Sequence, residues 1–188
     1  MTSRLLAIAV AVVFAAGSAG AAEFTYSATS GPGCTNIRSK REFNSWRCQG
    51  PAGYSAVYHD LGNMVAVELG PTGREKAIIE DGLLWQGADS KAFGDRLEWR
   101  LVGGRPYAAI LRIRRGDFDM KADKAITVEE LLVIKVTPQG ACSMGVVDGK
   151  SLDANTVARD IADSSATAFR CGTDKPRAMG MSASSPNR

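Results

Sequence analysis

The stretch Arg96-Leu-Glu-Trp-Arg-Leu-Val-Gly-Gly-Arg-Pro-Tyr-Ala-Ala-Ile-Leu-Arg-Ile-Arg-Arg115 decides how the chain is read. Leu97, Trp99 and Leu101 alternate with Arg96, Glu98 and Arg100, and the period of two resumes after Gly103-Gly104 with Tyr107, Ala109, Leu111 and Ile113. Such alternation marks strands with one apolar face, and glycines between two of them mark a hairpin. A two-residue Gly-Gly loop sets Trp99 against Ala108 and mixes the faces. A three-residue loop, Val102-Gly103-Gly104, sets Trp99 against Tyr107 and Leu97 against Ala109, so the apolar faces coincide. The pattern therefore predicts the longer loop. Arg96, Arg100, Arg112 and Arg114 then share the other face with Glu98, Ala108 and Ile110.

Downstream, Asp117 to Ala125 reads as a charged loop, and Glu130 to Val136 as a strand buried on both faces, because its apolar run is unbroken. Pro138-Gln-Gly140 turns the chain into a strand from Ala141 to Val147. Asp153 or Asn155 can cap a helix reaching to about Arg170, with Val157, Ile161, Ala168 and Phe169 as its apolar stripe and Gly172 as its stop. Upstream, Tyr54–His59 and Met64–Leu69 flank Asp60-Leu-Gly-Asn63 as a hairpin, preceded by a short strand around Trp46 and Cys48. Glu23 to Cys34 reads as a lead-in loop, Thr35 to Asn44 has weak helical character, and Arg74 to Glu80 has room for one or two helical turns. The sum is an α+β single domain. It is an antiparallel sheet of about seven strands with one C-terminal helix packed on it.

Arg4, the uncharged run Leu5–Ala16 and the small residues before Glu23 form a secretory signal, with cleavage expected near residue 22. The apolar run is too short to span a bilayer comfortably, so no membrane span is expected after cleavage. Residues 23–172 then form the globular domain and 173–188 a disordered tail. Cys34, Cys48, Cys142 and Cys171 make an even count in an exported chain, which points to two disulfides. Three connectivities are open, and Cys34–Cys48 with Cys142–Cys171 is favoured because each closes one loop at one end of the chain.

The same residues limit chemistry. A formal net charge of +3, with acids and bases mixed along the chain, does not point to nucleic acid. His59 is the single histidine, and Ser55 lacks the second glycine of a nucleophile elbow. An exposed histidine beside a turn is the favoured account of His59. The run from Asp117 to Asp123 fails the calcium-loop pattern, because Lys121, Ala122 and Val128 stand where oxygen, glycine and glutamate are needed. Glu75 with Glu80, or Glu129 with Glu130, could serve as paired carboxylates for glycoside hydrolysis, but any chain with 20 acidic residues offers such pairs. No phosphate-cradling glycine loop and no CxxC metal motif occurs, so no cofactor or metal is expected. The best binding candidates are Arg96, Arg100, Arg112 and Arg114, whose planar donor forks match phosphate or carboxylate. An anionic envelope component or an acidic protein would suit them. The competing account is a solvated sheet face.

Trp46-Arg-Cys-Gln-Gly50, Phe93–Arg100, Gly104–Arg112, Val147-Asp148, Ala154-Asn155, Ala158-Arg159 and Phe169-Arg-Cys-Gly172 occur in this order. Together they resemble a group of small exported proteins from alpha-proteobacteria. The resemblance implies bacterial export to the periplasm or beyond and a shared single-domain fold; it implies no activity and no catalytic residue. Size, export and sheet content are also similar to those of periplasmic lysozyme inhibitors, a looser analogy. Three roles thus enter the structural comparison: a non-catalytic binding module, a hydrolase inhibitor and an enzyme.

Overall fold

The computed structural model describes residues 22–40, 43–78, 84–85 and 91–179. Its strands are β1 (Glu23–Ala28), β2 (Cys34–Lys40), β3 (Phe43–Gln49), β4 (Tyr54–Asp60), β5 (Met64–Pro71), β6 (Lys76–Ala77), β7 (Leu84–Trp85), β8 (Phe93–Val102), β9 (Arg105–Asp119), β10 (Lys124–Thr137) and β11 (Gly140–Asp148). Helix α1 (Ala154–Ser165) and strand β12 (Arg177–Met179) follow. The strands form two sheets rather than one. The first runs β1-β8-β9-β10-β11-β12, and the second runs β2-β3-β4-β5 with β6 and β7 both on β5.

The first sheet is a middle layer. One face meets the second sheet, where Leu97, Trp99, Leu111, Ile113 and Ile134 pack with Tyr58, Val67 and Leu69. The other face meets α1, where Ala108, Ile110, Val133 and Met144 pack with Ala158, Ile161 and Ala162. Burial on both sides is the physical reason for the unbroken run Leu131-Leu-Val-Ile134, each residue of which is 3% exposed or less.

The central hairpin reaches matched faces by a route the pattern alone does not reveal. Gly103 and Gly104 both have positive φ, 55° and 74°, the requirement of a two-residue type I′ turn. Arg100 then pairs with Ala108 but Leu101 with Pro106, so Tyr107 is an extra, bulged residue. The bulge slips the register by one. Trp99 therefore lies opposite Ala109, not Tyr107, and Leu97 opposite Leu111, not Ala109. The small Ala109 leaves room for the indole, which is fully buried.

Other expectations are corrected on the same physical ground. Glu23–Cys34 contains β1, a strand at the sheet's edge with a wet face, where only Phe24 and Tyr26 alternate. Thr35–Asn44 has no helix among its described residues; it is β2 and the start of β3, an edge hairpin with too few apolar residues to show a period of two. Lys76–Ala77 is extended, and Glu80 lies outside the described residues. Asp117–Ala125 is no loop: β9 and β10 continue to a turn at 120–123, where Asp119 accepts the Lys121 and Ala122 N–H groups at 2.9 and 3.0 Å. Helix α1 ends at Ser165 rather than near Arg170. Within the segment expected as a tail, Arg177–Met179 form β12 and pair in parallel with β11. The expected leader lies outside the described residues except for Ala22. Among the described residues no helix is long and apolar enough to cross a membrane.

Two disulfides close the structure. Cys34–Cys48 joins directly paired residues of β2 and β3, and Cys142–Cys171 ties β11 to the segment after α1.

Candidate functional site: a cationic cleft beside the helix

Helix α1 packs chiefly on β9, β10 and β11, so the polar face of the sheet is divided. At one end the helix covers Arg100, which is only 5% exposed. The Arg100 guanidinium donates to both oxygens of Asp163 on α1, at 2.9 and 2.6 Å, and to Glu98 at 3.2 Å. The Tyr107 hydroxyl donates to Asp163 at 2.6 Å. Arg100 is thus a structural clamp between sheet and helix. Its pKa is raised further by the Asp163 hydrogen bonds. Burial and the Asp163 charge push the Tyr107 hydroxyl up to about 12.

Glu98 stands next in the row and is 7% exposed. Arg159 of α1 grips it with Nε and Nη2 at 2.9 and 2.8 Å, and the Tyr26 hydroxyl donates to it at 3.2 Å. Burial alone would raise the Glu98 pKa, but the Arg159 hydrogen bonds and charge outweigh burial and hold it below the usual value. The carboxylate stays ionised as a counter-ion.

Beyond Glu98 the covering ends and a cleft of about 450 Å³ opens. Arg96, Arg112, Arg114 and Arg159 line it with Lys91, above an apolar floor of Ile110 and Leu131. Arg112 is held by Glu129, by the Gly149 carbonyl at 3.0 Å and by Asn155 at 3.3 Å. Arg114 donates to the other Glu129 oxygen at 3.0 Å, so one carboxylate answers two guanidiniums. Arg96 has no carboxylate partner among the described residues; its guanidinium lies over the Tyr26 ring, 5.0 Å from the centroid. Lys91 and Asp95 are 3.8 Å apart and both exposed, a weak pairing. Around Arg96, six cationic groups (Lys91, Arg96, Arg100, Arg112, Arg114, Arg159) meet four carboxylates (Asp95, Glu98, Glu129, Asp163). Among the described residues the excess falls at Arg96, on the cleft.

No family model, no curated protein and no solved structure matches this chain.

Three of the four arginines expected to act together therefore line one cleft, and Arg100 does not. Sequence reasoning missed Arg159, because its partner Glu98 is 61 residues away on another element. It also missed Phe24 and Tyr26, because β1 was read as a loop. Their spacing of two, facing Arg100 and Glu98 across the pairing with β8, was the available signal.

The remaining candidates have other duties. Glu129 and Glu130 sit on opposite faces of β10, one binding Arg112 and Arg114, the other binding Arg115 at 3.0 Å through both oxygens. Asp117 also serves Arg115, at 3.1 Å. Glu75 accepts from Arg47 at 2.7 Å, from Ser55 and from the Gly73 N–H; against the upward pull of burial, these bonds bring its carboxyl down to about 2.

His59 is not the exposed turn residue expected. Its Nδ1 lies 2.8 Å from Ser45 Oγ and its Nε2 3.5 Å from a Glu68 oxygen. The three are neighbours across β3, β4 and β5 on the outer face of the second sheet. Ser45 is 5% exposed, so little of its side chain reaches the surface.

Proposed function

We propose that the protein is an exported, disulfide-stabilised, non-catalytic binding module whose cleft holds an acidic group of an envelope component or of an acidic protein. The observation that carries this reading is Arg96: an exposed guanidinium that, among the described residues, has no carboxylate, beside Arg112 and Arg114, which share Glu129. A guanidinium without a carboxylate, in a concave site also lined by the Tyr26 ring, favours an anion with some apolar surface. Arginine does not give up its proton near neutral pH, which supports binding rather than acid–base chemistry. The N-terminal signal pattern, the two disulfides and the resemblance to small exported bacterial proteins support a periplasmic or secreted location. A lysozyme inhibitor is the weaker alternative, since lysozymes are basic and this cleft carries the same sign.

The test uses Arg96→Gln/Arg114→Gln, which leaves Glu129 to Arg112 and the Arg100 clamp untouched. Binding of polygalacturonate, polyphosphate and polyglutamate is measured by calorimetry at low and high salt. The reading expects at least one polyanion to bind in a salt-sensitive manner, with a loss of tenfold or more in the variant. Equal affinity of variant and wild type for all three would refute it.

A further inference from the structure

The cleft continues onto a shelf that an anion site alone does not need. Phe24 and Tyr26 project from β1 on the same face as Glu98 and Arg100, to which they are paired across β8. Their rings meet edge to face at 5.7 Å, yet Phe24 is 54% exposed and Tyr26 42%. Large aromatic residues left this open beside a polar cleft call for explanation, since burial of such rings ordinarily stabilises a fold. They are also fixed in place. The Tyr26 hydroxyl is bonded to Glu98, and the Arg100 and Arg159 guanidiniums lie 5.8 and 5.9 Å from the Phe24 centroid. The shelf is preorganised.

We infer, on the basis of the binding reading above, that the ligand is an acidic oligosaccharide whose uronate carboxylates meet Arg96, Arg112 and Arg114 while a sugar ring rests against Phe24 and Tyr26. A uronate residue carries both surfaces the site presents: a carboxylate for a guanidinium fork, and a patch of axial C–H groups for an exposed aromatic ring. Arg96 joins the two halves. Its guanidinium lies over the Tyr26 ring at 5.0 Å, so a carboxylate that meets Arg96 comes beside the aromatic pair. Inorganic phosphate or polyphosphate would use the guanidiniums but gain nothing from the rings. An acidic peptide would bring its carboxylates on flexible stems, at a greater ordering cost.

The experiment compares tetragalacturonate, tetrapolyphosphate and tetraglutamate in calorimetric titrations at one ionic strength. It uses protein expressed from the full 188-residue chain and the variants Phe24→Ala and Arg96→Gln. The inference expects tetragalacturonate to bind at least tenfold more tightly than the other two, and each variant to weaken it at least fivefold. Phe24→Ala should leave tetrapolyphosphate affinity unchanged, which separates loss of the shelf from loss of the fold, and its melting temperature is recorded beside it. Tighter binding of tetrapolyphosphate or tetraglutamate, or indifference of tetragalacturonate to Phe24→Ala, overturns the sugar assignment and leaves the anion-binding module standing. No binding of any of the three overturns both.

Discussion

Replacing Glu98 by glutamine should weaken the fold and strengthen anion binding in the same molecule. The side chain is nearly isosteric but uncharged, and it sits 7% exposed between Arg100, Arg159 and Tyr26. The amide retains one acceptor oxygen, so part of the three-bond Arg159 grip survives while the rest meets an N–H. Charge-assisted bonds contribute about 1.5–3 kcal/mol each and neutral ones about half that. Arg100 keeps Asp163, and Arg159 can turn to water, so the net loss should be about 2–3 kcal/mol rather than the full cost of an orphaned buried charge. For a chain of this size that lowers Tm by roughly 5–10 °C. Removing one negative charge about 6 Å from a bound anion, with water-like screening, favours the anion by about 0.7 kcal/mol, roughly threefold in affinity.

The loss also has a pH signature. Because the folded Glu98 pKa lies below its usual value of 4.5, its contribution is complete above that value and fades as pH falls through the folded value. The gap in Tm between wild type and Glu98→Gln should therefore be widest near neutral pH and close in acid. Calorimetric melts from pH 3 to 8, with a polygalacturonate titration at pH 7, make the comparison. A variant that melts with the wild type at pH 7, or that binds the anion less tightly, would refute the counter-ion role.

Two further outcomes follow from packing and covalent closure. Gly50→Ala would set a Cβ 2.6 Å from Trp99 Cζ2 and should cost about 1–3 kcal/mol, read as a lower urea midpoint with an unchanged slope. Replacing both Cys142 and Cys171 by serine opens a loop with a sequence separation of 29 and should cost about 3–4 kcal/mol, seen as a lower urea midpoint, with wild type in reductant losing at least as much.

The strands that carry the core were legible because their composition is dictated by what they touch. Leu131–Ile134 lies between two layers and shows it as an unbroken run, and Leu97, Trp99, Leu111 and Ile113 show the alternation of a face against the second sheet. The second sheet as a separate layer was hidden. Its edge, β2, buries little, so nothing in Thr35–Lys40 announces a strand beyond its pairing with β3. The bulge at Tyr107 was equally silent, because a one-residue slip leaves every residue in place and changes only its partner. The arginine row was visible, but which arginine becomes covered depends on where a helix more than fifty residues later comes to rest. Asp163 answers Arg100 across 63 positions, a pairing no local pattern encodes.

The order of strands also sets a timetable for a chain that is made with its N-terminus first. β2, β3, β4 and β5 are successive hairpins, and Cys34 meets Cys48 after only fourteen residues, so the second sheet can assemble and oxidise as soon as it appears. β1 cannot. The first strand out has its partner, β8, at Phe93–Val102, and Glu23 pairs with Leu101. It must wait, unpaired, while an entire sheet forms behind it, and the shelf of Phe24 and Tyr26 is completed only when Arg159 arrives still later. Strand β1 is thus among the last of the described pieces to lock, and a partly made chain leaves it unpaired.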